Sequence, residues 1–270
     1  MSEGASKRMN LSVGIVTYNS ERVIEQALRS LLDAWPRELD GEVIVYDNCS
    51  SDGTVKLVNA LAETLPRIRL LTGDSNLGFG GGHNRIMGER VGDVHIFCNP
   101  DIVVKQGALT TLCAFLADHP DIGIVCPQVH FGDGRLQALN RRYPNVLDLF
   151  LRRFLPQTLH GLFEKRLASY EMRDVGYDHM YDVPFVSGAF MACRTAAIQQ
   201  AGGFDERYFL YFEDADLSRA VQQLGWRTTY CPDALVIHGW QREAHKNNKA
   251  AAIFVQSAFR YFGKWGWKLI

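Results

Sequence analysis

Apolar and polar residues follow one another along the chain in blocks that predict alternating strands and helices. Short apolar runs predict five buried strands, at Leu11–Val16, Glu42–Tyr46, Ile68–Leu71, Val94–Cys98 and Ile122–Cys126. Between these runs, apolar residues recur every three or four positions, which predicts helices after Ser20, after Thr54 and around Leu109–Ala117. We expect Ser20 to cap the first helix. This order of elements predicts βαβ units around a parallel sheet with right-handed crossovers.

The pattern is less regular in the second half of the chain. An apolar run interrupted by Gly188 predicts a strand over Pro184–Arg194, and a final strand is predicted over Ala234–Ile237. The sequence Gly132-Asp133-Gly134 is typical of a hairpin turn. A further helix is predicted to begin near Glu213 and to end at about Leu224.

Composition narrows the class of protein. The chain has 270 residues, and 47% of them are hydrophobic, which is enough for a large core. Its net charge is −1, so no overall electrostatic field attracts nucleic acid. Its six cysteines form no C-x-x-C pair and most lie in apolar runs, which indicates buried reduced thiols. The first ten residues lack the apolar stretch of a secretory signal, and no run approaches the ~20 apolar residues of a membrane span. We therefore expect a cytoplasmic protein.

Polar residues follow three of the predicted strands. They are Thr17-Tyr18-Asn19, Asp47-Asn48 and Asn99-Pro100-Asp101. The last strand must end there because proline has no N–H to donate. The carboxyl ends of parallel strands meet at one edge of a sheet, where ligands of open α/β folds bind. Amides and carboxylates at this edge suit a base and a ribose, and Asp101 is placed to hold a divalent cation beside a phosphorylated ligand.

A glycine-rich stretch, Gly78–Gly82, precedes a predicted short helix. Such a loop exposes backbone N–H groups and favours anions, although a flexible surface turn is an equally good interpretation. It is neither G-x-G-x-x-G nor a P-loop sequence, and the first strand-to-helix turn contains no glycine. An NAD-dependent dehydrogenase is therefore disfavoured.

Three carboxylates, those of Glu213, Asp214 and Asp216, crowd the start of a predicted helix. Interaction with the helix dipole explains one of them. The aromatic residues just before them can raise a carboxylate pKa, so that one carboxylate can act as a general base. His238, at the end of the last predicted strand, is either a structural histidine or a further metal ligand.

Six short segments and a late histidine resemble, in their order, the motifs of family 2 glycosyltransferases. They are Val16–Ser20 (VTYNS), Asp47–Thr54 (DNCSSDGT), Asn76–Asn84 (NLGFGGGHN), Asn99–Asp101 (NPD), Ser187–Phe190 (SGAF), Gly202–Leu217 (GGFDERYFLYFEDADL) and His238. The chain is most similar to the bacterial rhamnosyltransferase branch, from about Leu11 to Trp240. This resemblance implies the GT-A fold, an α/β single αβα sandwich with a mostly parallel central sheet. It also implies transfer of a sugar from a nucleotide donor with inversion.

The resemblance also implies roles for individual residues. Positions that hold the base and ribose are matched by Thr17, Tyr18, Asn19, Asp47, Asn48 and Asp52. The loop that lines the nucleotide is matched by Asn76, Gly78 and Asn84. Asp101 matches the last residue of the D-x-D motif, which binds Mg²⁺ or Mn²⁺. Asn99 stands at the first position of that motif, beside the nucleotide, where many family members carry Asp, so the site has one negative charge fewer. His238 matches a histidine that completes the metal site in some members. Asp214 matches the catalytic base, and Glu213 shapes the acceptor site.

The implied donor is dTDP-L-rhamnose, and a UDP-sugar is the alternative. The implied acceptor is a lipid-linked or cell-surface glycan, with contact to the inner face of the cytoplasmic membrane as a further expectation. Two rivals remain at this point. A retaining or hydrolytic enzyme on the same fold would need a nucleophile with no evident candidate, and a non-catalytic nucleotide-sugar or glycan-binding module would have no use for Glu213 and Asp214.

The expected organisation is one catalytic domain with two flanking segments. Residues 1–10 are expected to be flexible, and the GT-A domain is expected over residues 11–240, with a nucleotide-binding half (11–101) and an acceptor-binding half (102–240). An insert at about 140–182 mixes basic and aromatic residues, which predicts one or two short amphipathic helices. They form either a solvated face over an apolar patch or a lip facing the acceptor or a membrane. A helical and aromatic C-terminal segment is expected over residues 241–270. Its aromatic and basic part, Ile253–Ile270, either packs on the core or lies at a membrane interface.

Overall fold

A computed structural model describes residues 9–153, 155–239 and 248–270. Most of the predicted flexible N-terminus, and Trp240 at the end of the resemblance, lie outside the described residues. No helix in the described ranges is both long enough and apolar enough to cross a membrane.

One mixed sheet organises the described chain. Its strands are β1 (Leu11–Thr17), β2 (Gly41–Asp47), β3 (Ile68–Thr72), β4 (Val94–Cys98), β5 (Ile102–Val104), β6 (Ile122–His130), β7 (Tyr181–Asp182), β8 (Phe190–Arg194) and β9 (Arg227–His238). Their order is β3-β2-β1-β4-β8-β6-β9-β5, and β7 also pairs with β9. The first four strands in this order are parallel, as is the pair β6–β9. The strand β8 is antiparallel to both of its neighbours.

Helices cover both faces of this sheet. They are α1 (Ile24–Asp33), α2 (Thr54–Thr64), α3 (Gly78–Met87), α4 (Ala108–Asp118), α5 (Val146–Arg153), α6 (Glu164–Tyr170), α7 (Thr195–Ala201), α8 (Glu213–Gln223) and α9 (Asn248–Trp265), with a 3₁₀ helix at Gln157–Phe163. One apolar core joins α1, α2 and α4 to the sheet, and a second joins α7 and α8 to it. All residues of β1 are buried, as expected for a strand covered on both faces. Each buried leucine or isoleucine contributes about 1.5–3 kcal/mol. The predicted αβα sandwich is confirmed.

The five strands predicted in the first half are all present, but two predictions in the second half were too coarse. Only Phe190–Arg194 of the run Pro184–Arg194 forms a strand, and α7, which follows it directly, was missed. The last strand begins at Arg227 instead of Ala234. Its register on β6 shifts between Cys231 and Leu235, because Pro232 cannot donate to a ladder and a bulge forms there. Because Pro232 interrupts the apolar pattern, the sequence did not reveal the first half of this strand.

Two helix starts differ from the predictions. Ser20 does not cap α1 with its side chain, since that helix begins at Ile24 and the Ser20 hydroxyl accepts the N–H of Tyr18 at 3.3 Å. The glycines of Gly78–Gly82 lie inside α3 and not in a loop. They allow close packing: a Cβ at Gly80 would lie 2.8 Å from the Phe204 Cβ.

The insert forms α5, the 3₁₀ helix, α6 and β7, so short helices are confirmed there. The interpretation of its basic residues as a solvated face is wrong for Arg141, which is buried and donates to the carbonyls of Ala138 and Asn140 at 2.6 and 3.1 Å. Loss of solvation on burial lowers the pKa of this guanidinium to about 10. One face of α9 packs on the core through Tyr261 and Phe262.

A buried carboxylate holds α9 in place. Asp216 of α8 accepts the indole N–H of Trp265 at 2.6 Å and the ammonium of Lys264 at 2.8 Å, and the Tyr208 hydroxyl donates to it at 3.2 Å. Because Asp216 is 2% exposed, these three donors replace the water that a carboxylate needs. This residue therefore anchors the C-terminal helix.

We predict that Asp216→Ala lowers the free energy of unfolding by about 3 kcal/mol, because it leaves buried donors and a partly buried ammonium without their acceptor. Denaturant unfolding measures the change. The control is Asp121→Ala, which removes an exposed partner of Arg227 and should cost much less. Equal losses in the two variants would contradict the anchoring role.

Candidate functional site

The loops after β1 and β2 are held together by Asp47. Thr17 and Asp47 are paired neighbours on the two strands, and the threonine hydroxyl donates to the carboxylate at 2.9 Å. The N–H and the hydroxyl of Ser50 donate to the same carboxylate at 2.8 and 2.6 Å. Asp47 is 1% exposed and is engaged with protein donors, so it holds the loops after β1 and β2 together. Its direct contact with a ligand stays a prediction.

Three predicted amide residues fix α3 to its surroundings. The Asn48 side chain accepts the N–H of Leu77 at 3.0 Å and donates to the carbonyl of Gly78 at 2.9 Å. The side-chain oxygen Oδ1 of Asn76 accepts the N–H of Gly78 at 2.9 Å. At the end of the second turn of α3, Asn84 exchanges hydrogen bonds with the backbone of Phe204 at 2.8 and 2.9 Å. That places Asn84 against the segment before α8, and its contact with a ligand also stays a prediction.

The outer parts of the same loops cross-link. The Asn19 carbonyl oxygen accepts the N–H of Ser51 at 2.8 Å, and Asp52 accepts the N–H of Glu21 at 3.2 Å. Asp52 also accepts the N–H and hydroxyl of Thr54, the first residue of α2. Burial raises the pKa of its carboxyl, but the hydrogen bonds from Thr54 and Glu21 outweigh this effect and lower it. Tyr18 is 54% exposed and lies open to solvent beside these loops.

A cleft of about 550 Å³ opens between these loops and the end of β4. It contains five of the predicted site residues: Asn19, Asp52, Asn99, Asp101 and His238. Glu21 and Arg22 also line it, and sequence reasoning missed both, because single charged residues at the start of a helix carry no recognisable pattern. The size suits one small ligand.

The metal ligands predicted at Asp101 and His238 lie next to each other. The strand β5 follows Asp101 and pairs antiparallel with the end of β9, so that Ile102 faces His238. The His238 Nε2 atom is 3.4 Å from Asp101 Oδ1 and 3.4 Å from Asn99 Nδ2. On its other side, Nδ1 is 3.0 Å from Oε1 of Gln137, a buried residue that the sequence did not reveal. With the proton on Nδ1, His238 would donate to Gln137 Oε1 and direct the Nε2 lone pair at Asp101, which is the tautomer that a metal ligand needs.

This donor set fits Mg²⁺ or Mn²⁺ in a limited way. The described ranges hold no group of three or more His, Cys, Asp and Glu side chains able to bind a metal. Magnesium is commonly held by one or two carboxylates, with water and ligand phosphates completing its shell. Asp101 and an imidazole oriented by Gln137 provide the protein's part of such a shell.

The second part of the site is the start of α8. Tyr211 and Phe212, just before it, adopt left-handed φ values of 70° and 69°, which are strained for residues with side chains. Asp214 accepts the N–H of Gly188 at 2.9 Å through Oδ2 and that of Ala215 at 2.9 Å through Oδ1. A Cβ on Gly188 would lie 3.2 Å from the Phe79 ring, so glycine allows this backbone approach without a shift of the ring.

The two parts of the site meet through the segment Ser187–Phe190. The N–H of Asn99, at the cleft, donates to the carbonyl of Ala189 at 3.0 Å. The preceding residue of that segment, Gly188, binds Asp214. The N–H of Gly188 and the carbonyl of Ala189 thus connect the carboxylate of Asp214 with the cleft residue Asn99.

The neighbouring carboxyl groups of Glu213 and Asp214 differ in their hydrogen bonding and exposure. Burial, and then the nearby Asp214, raise the pKa of Glu213 well above its usual value, and its Oε2 has no partner within the described chain. Burial also raises the pKa of Asp214, but hydrogen bonds from Gly188 and Ala215 oppose that shift, and the side chain keeps partial exposure. Burial and a carboxyl neighbour favour the protonated form of Glu213, whereas the two backbone N–H groups that donate to Asp214 favour its ionised form, so Asp214 is the better placed of the two to accept a proton.

We predict that Glu213→Gln stabilises the protein increasingly as pH rises. An acid with a raised folded-state pKa binds more protons when folded, so its contribution to stability is lost between its unfolded pKa of about 4.3 and the raised folded value. Glutamine mimics the protonated acid and avoids that loss. Denaturant unfolding at several pH values should show a gap that widens to the order of 1 kcal/mol by neutral pH.

The control is Glu25→Gln, on the exposed face of α1. Its effect should change less across the same pH range. A gap that stays constant or narrows as pH rises would show that Glu213 is ionised in the folded protein.

The comparisons with known proteins agree on one family. A sequence profile described as "Glycosyl transferase family 2" matches residues 12–202. The chain is 32% identical over 259 residues to an N-acetylglucosaminyl-diphospho-decaprenol L-rhamnosyltransferase of Mycobacterium tuberculosis, covering 90% of this chain and 79% of that protein. It is 27% identical over 242 residues to the O-antigen chain rhamnosyltransferase RfbN of Salmonella typhimurium, covering 85% of this chain and 66% of that one.

Solved structures show the same architecture. GalNAc-T7 with UDP, GalNAc and Mn²⁺ has a TM-score of 0.66 at 17% identity, covering 87% of this chain and 46% of that one. The mannosyltransferase PcManGT from Pyrobaculum calidifontis, with GDP-Man and Mn²⁺, has a TM-score of 0.63 at 20% identity, covering 88% and 59%. The fold is the predicted GT-A fold. Together, the profile and the relatives establish that the chain is a glycosyltransferase and belongs to glycosyl transferase family 2.

Proposed function

We propose that the protein transfers L-rhamnose from dTDP-L-rhamnose, with inversion, to a hydroxyl of a lipid-linked or cell-surface glycan. The single observation that carries this proposal is the connection between the cleft and the carboxylate of α8, through Asn99, Ala189, Gly188 and Asp214. The names of two relatives favour rhamnose, and one of them names a decaprenol-linked acceptor.

In this proposal the cleft holds the nucleoside diphosphate of the donor. Asn19, Asp52 and Arg22 would contact it, with Asn99 beside the phosphates. Asp101 and His238 would hold Mg²⁺ or Mn²⁺, which, when bound, offsets the negative charge that develops on the leaving diphosphate. Gln137 keeps the His238 ring in the orientation that this role needs.

Asp214 is the proposed catalytic base. It takes the proton of the acceptor hydroxyl as the hydroxyl oxygen bonds to the anomeric carbon and the bond to the diphosphate breaks. A single displacement of this kind inverts the anomeric centre and needs one carboxylate, unlike the pair used by retaining hydrolysis. The neutral Glu213 beside it adds no second negative charge, so it can face an acceptor hydroxyl without repelling the base.

We propose that this reaction takes place in the cytoplasm, at the inner face of the membrane. Support comes from the cysteines, five of which are buried and all of which are free in the described structure. The lipid part of the acceptor named for the mycobacterial relative is consistent with that location.

We expect dTDP with Mn²⁺ or Mg²⁺ to raise the melting temperature more than UDP, GDP or CDP, because selective binding stabilises the native state. A thermal-shift panel measures this, and dTDP-L-rhamnose should then be consumed when an acceptor is added. A preference for UDP would keep the transferase and overturn the rhamnose donor. No response to any nucleotide would contradict the cleft as the donor site.

The matched control in that panel is Asp101→Asn. It removes the carboxylate beside His238 with little change of shape, so it should abolish the extra stabilisation that the metal gives while keeping part of the response to dTDP alone. If the variant keeps the full metal effect, Asp101 does not hold the metal.

A further inference from the structure

Exposed apolar side chains are concentrated in two segments of the chain. Nine of the fourteen large hydrophobic residues exposed in the described part lie in residues 150–163 and 255–270. They are Phe150, Leu159, Leu162, Phe163, Val255, Phe259, Trp267, Leu269 and Ile270. Leu162, on the 3₁₀ helix, is 78% exposed. This concentration of exposed apolar side chains makes the two segments a candidate interaction site.

The same two parts of the chain are strongly basic. Residues 146–170 and 248–270 carry eight lysines and arginines against two acidic residues, whereas the remaining residues carry 21 basic and 28 acidic ones. The two acidic side chains are already paired, Asp148 with Arg166 at 2.5 Å and Glu164 with Arg173 at 2.6 Å. Arg166, Arg152 and Lys264 are in turn paired with Asp148, Glu171 and Asp216, and five further lysines and arginines supply the positive charge of the two segments, in a chain whose net charge is −1.

These two segments form one surface. The N–H groups of Val146 and Leu147, at the start of α5, donate to the carbonyls of Lys268 and Leu269 at 2.9 and 3.2 Å. At the other end of α5, the Arg153 guanidinium lies 5.8 Å from the Phe254 ring of α9. We call this surface, made by residues 146–153, 155–170 and 248–270, the basic apolar face.

The basic apolar face borders the catalytic end of α8. The Phe254 ring lies 5.6 Å from that of Tyr211 and 5.2 Å from that of Phe212, the two strained residues before Glu213. The Ser257 hydroxyl donates to the carbonyl of Leu210 at 2.8 Å. A partner that docks on this face would therefore lie close to the start of α8, which carries Asp214.

We propose that the basic apolar face docks on a lipid bilayer that contains anionic headgroups. Leucine, phenylalanine and tryptophan side chains flanked by lysine and arginine are the combination that binds an anionic interface. A second copy of the chain fits less well, because it would bring the same positive charge against itself. The role of this docking, which is to bring a lipid-linked acceptor to Asp214, rests on the proposed function. Binding to vesicles can be measured without turnover.

The test is cosedimentation of the full chain with phosphatidylcholine vesicles, with and without phosphatidylglycerol. We expect binding to the vesicles with phosphatidylglycerol and much weaker binding to phosphatidylcholine alone, with affinity falling as salt increases. Leu162→Glu should weaken binding about tenfold or more, because it replaces a side chain that would enter the bilayer by a charge. The matched control is Leu224→Glu, an equally simple change at a leucine that is 50% exposed just after α8, and it should bind like the unmodified chain.

Failure of docking and failure of the proposed function give different results. Leu162→Glu should keep its stabilisation by dTDP and its transfer to a short water-soluble acceptor, and should lose transfer to a lipid-linked acceptor in vesicles. No binding of the unmodified chain to anionic vesicles, or equal binding by Leu162→Glu, would overturn the docking surface. Dimerisation in sedimentation velocity that Leu162→Glu abolishes would also overturn it, by assigning the face to a second copy. If vesicles bind but no nucleotide does, the docking surface stands and the proposed function falls.

Discussion

The segment Ser187–Phe190 makes two backbone hydrogen bonds on which the site depends. The carbonyl of Ala189 receives the N–H of Asn99 from the end of β4, and the N–H of Gly188 binds Asp214 at the start of α8. The segment leads directly into β8, which is antiparallel to β4 on one side and β6 on the other. The antiparallel strand in an otherwise mostly parallel sheet thus brings the base and the donor cleft to one edge.

Backbone strain is concentrated around this edge. Among the described residues other than glycine, Asn19, Cys49, Met172, Tyr211 and Phe212 have positive φ. Four of these five lie in the loops after β1 and β2 or just before Glu213, and each costs on the order of 1–3 kcal/mol. Buried hydrogen bonds at Asp47 and the packing of Phe254 on Phe212 hold these conformations in place. The strained positions thus lie in the loops beside the cleft and at the start of the helix that carries Asp214.

The sequence was informative where one local rule decided the outcome. Pro100 had to end β4, which placed Asp101 at the sheet edge, and three strands ending in polar residues had to bring them together. It was uninformative where distant packing decides. The glycines of α3 resemble a loop locally, and only contact with Phe204 explains them within a helix. Gln137 contacts the ring of His238, which is 101 residues away in the sequence, and no local sequence pattern predicts such a pairing. Asp216 was grouped with the site carboxylates, but it anchors Lys264 and Trp265 of α9.

The central claim is that Asp214 is the base and lies opposite a separately built donor cleft. The most direct measurement is single-turnover sugar transfer by Asp214→Asn, together with the dissociation constant of dTDP for the same variant. We predict that the transfer rate falls by about 10²–10⁴, the usual contribution of a general base, while the dissociation constant is unchanged because the cleft does not include Asp214. An unchanged transfer rate in a variant that still binds dTDP would contradict the assignment.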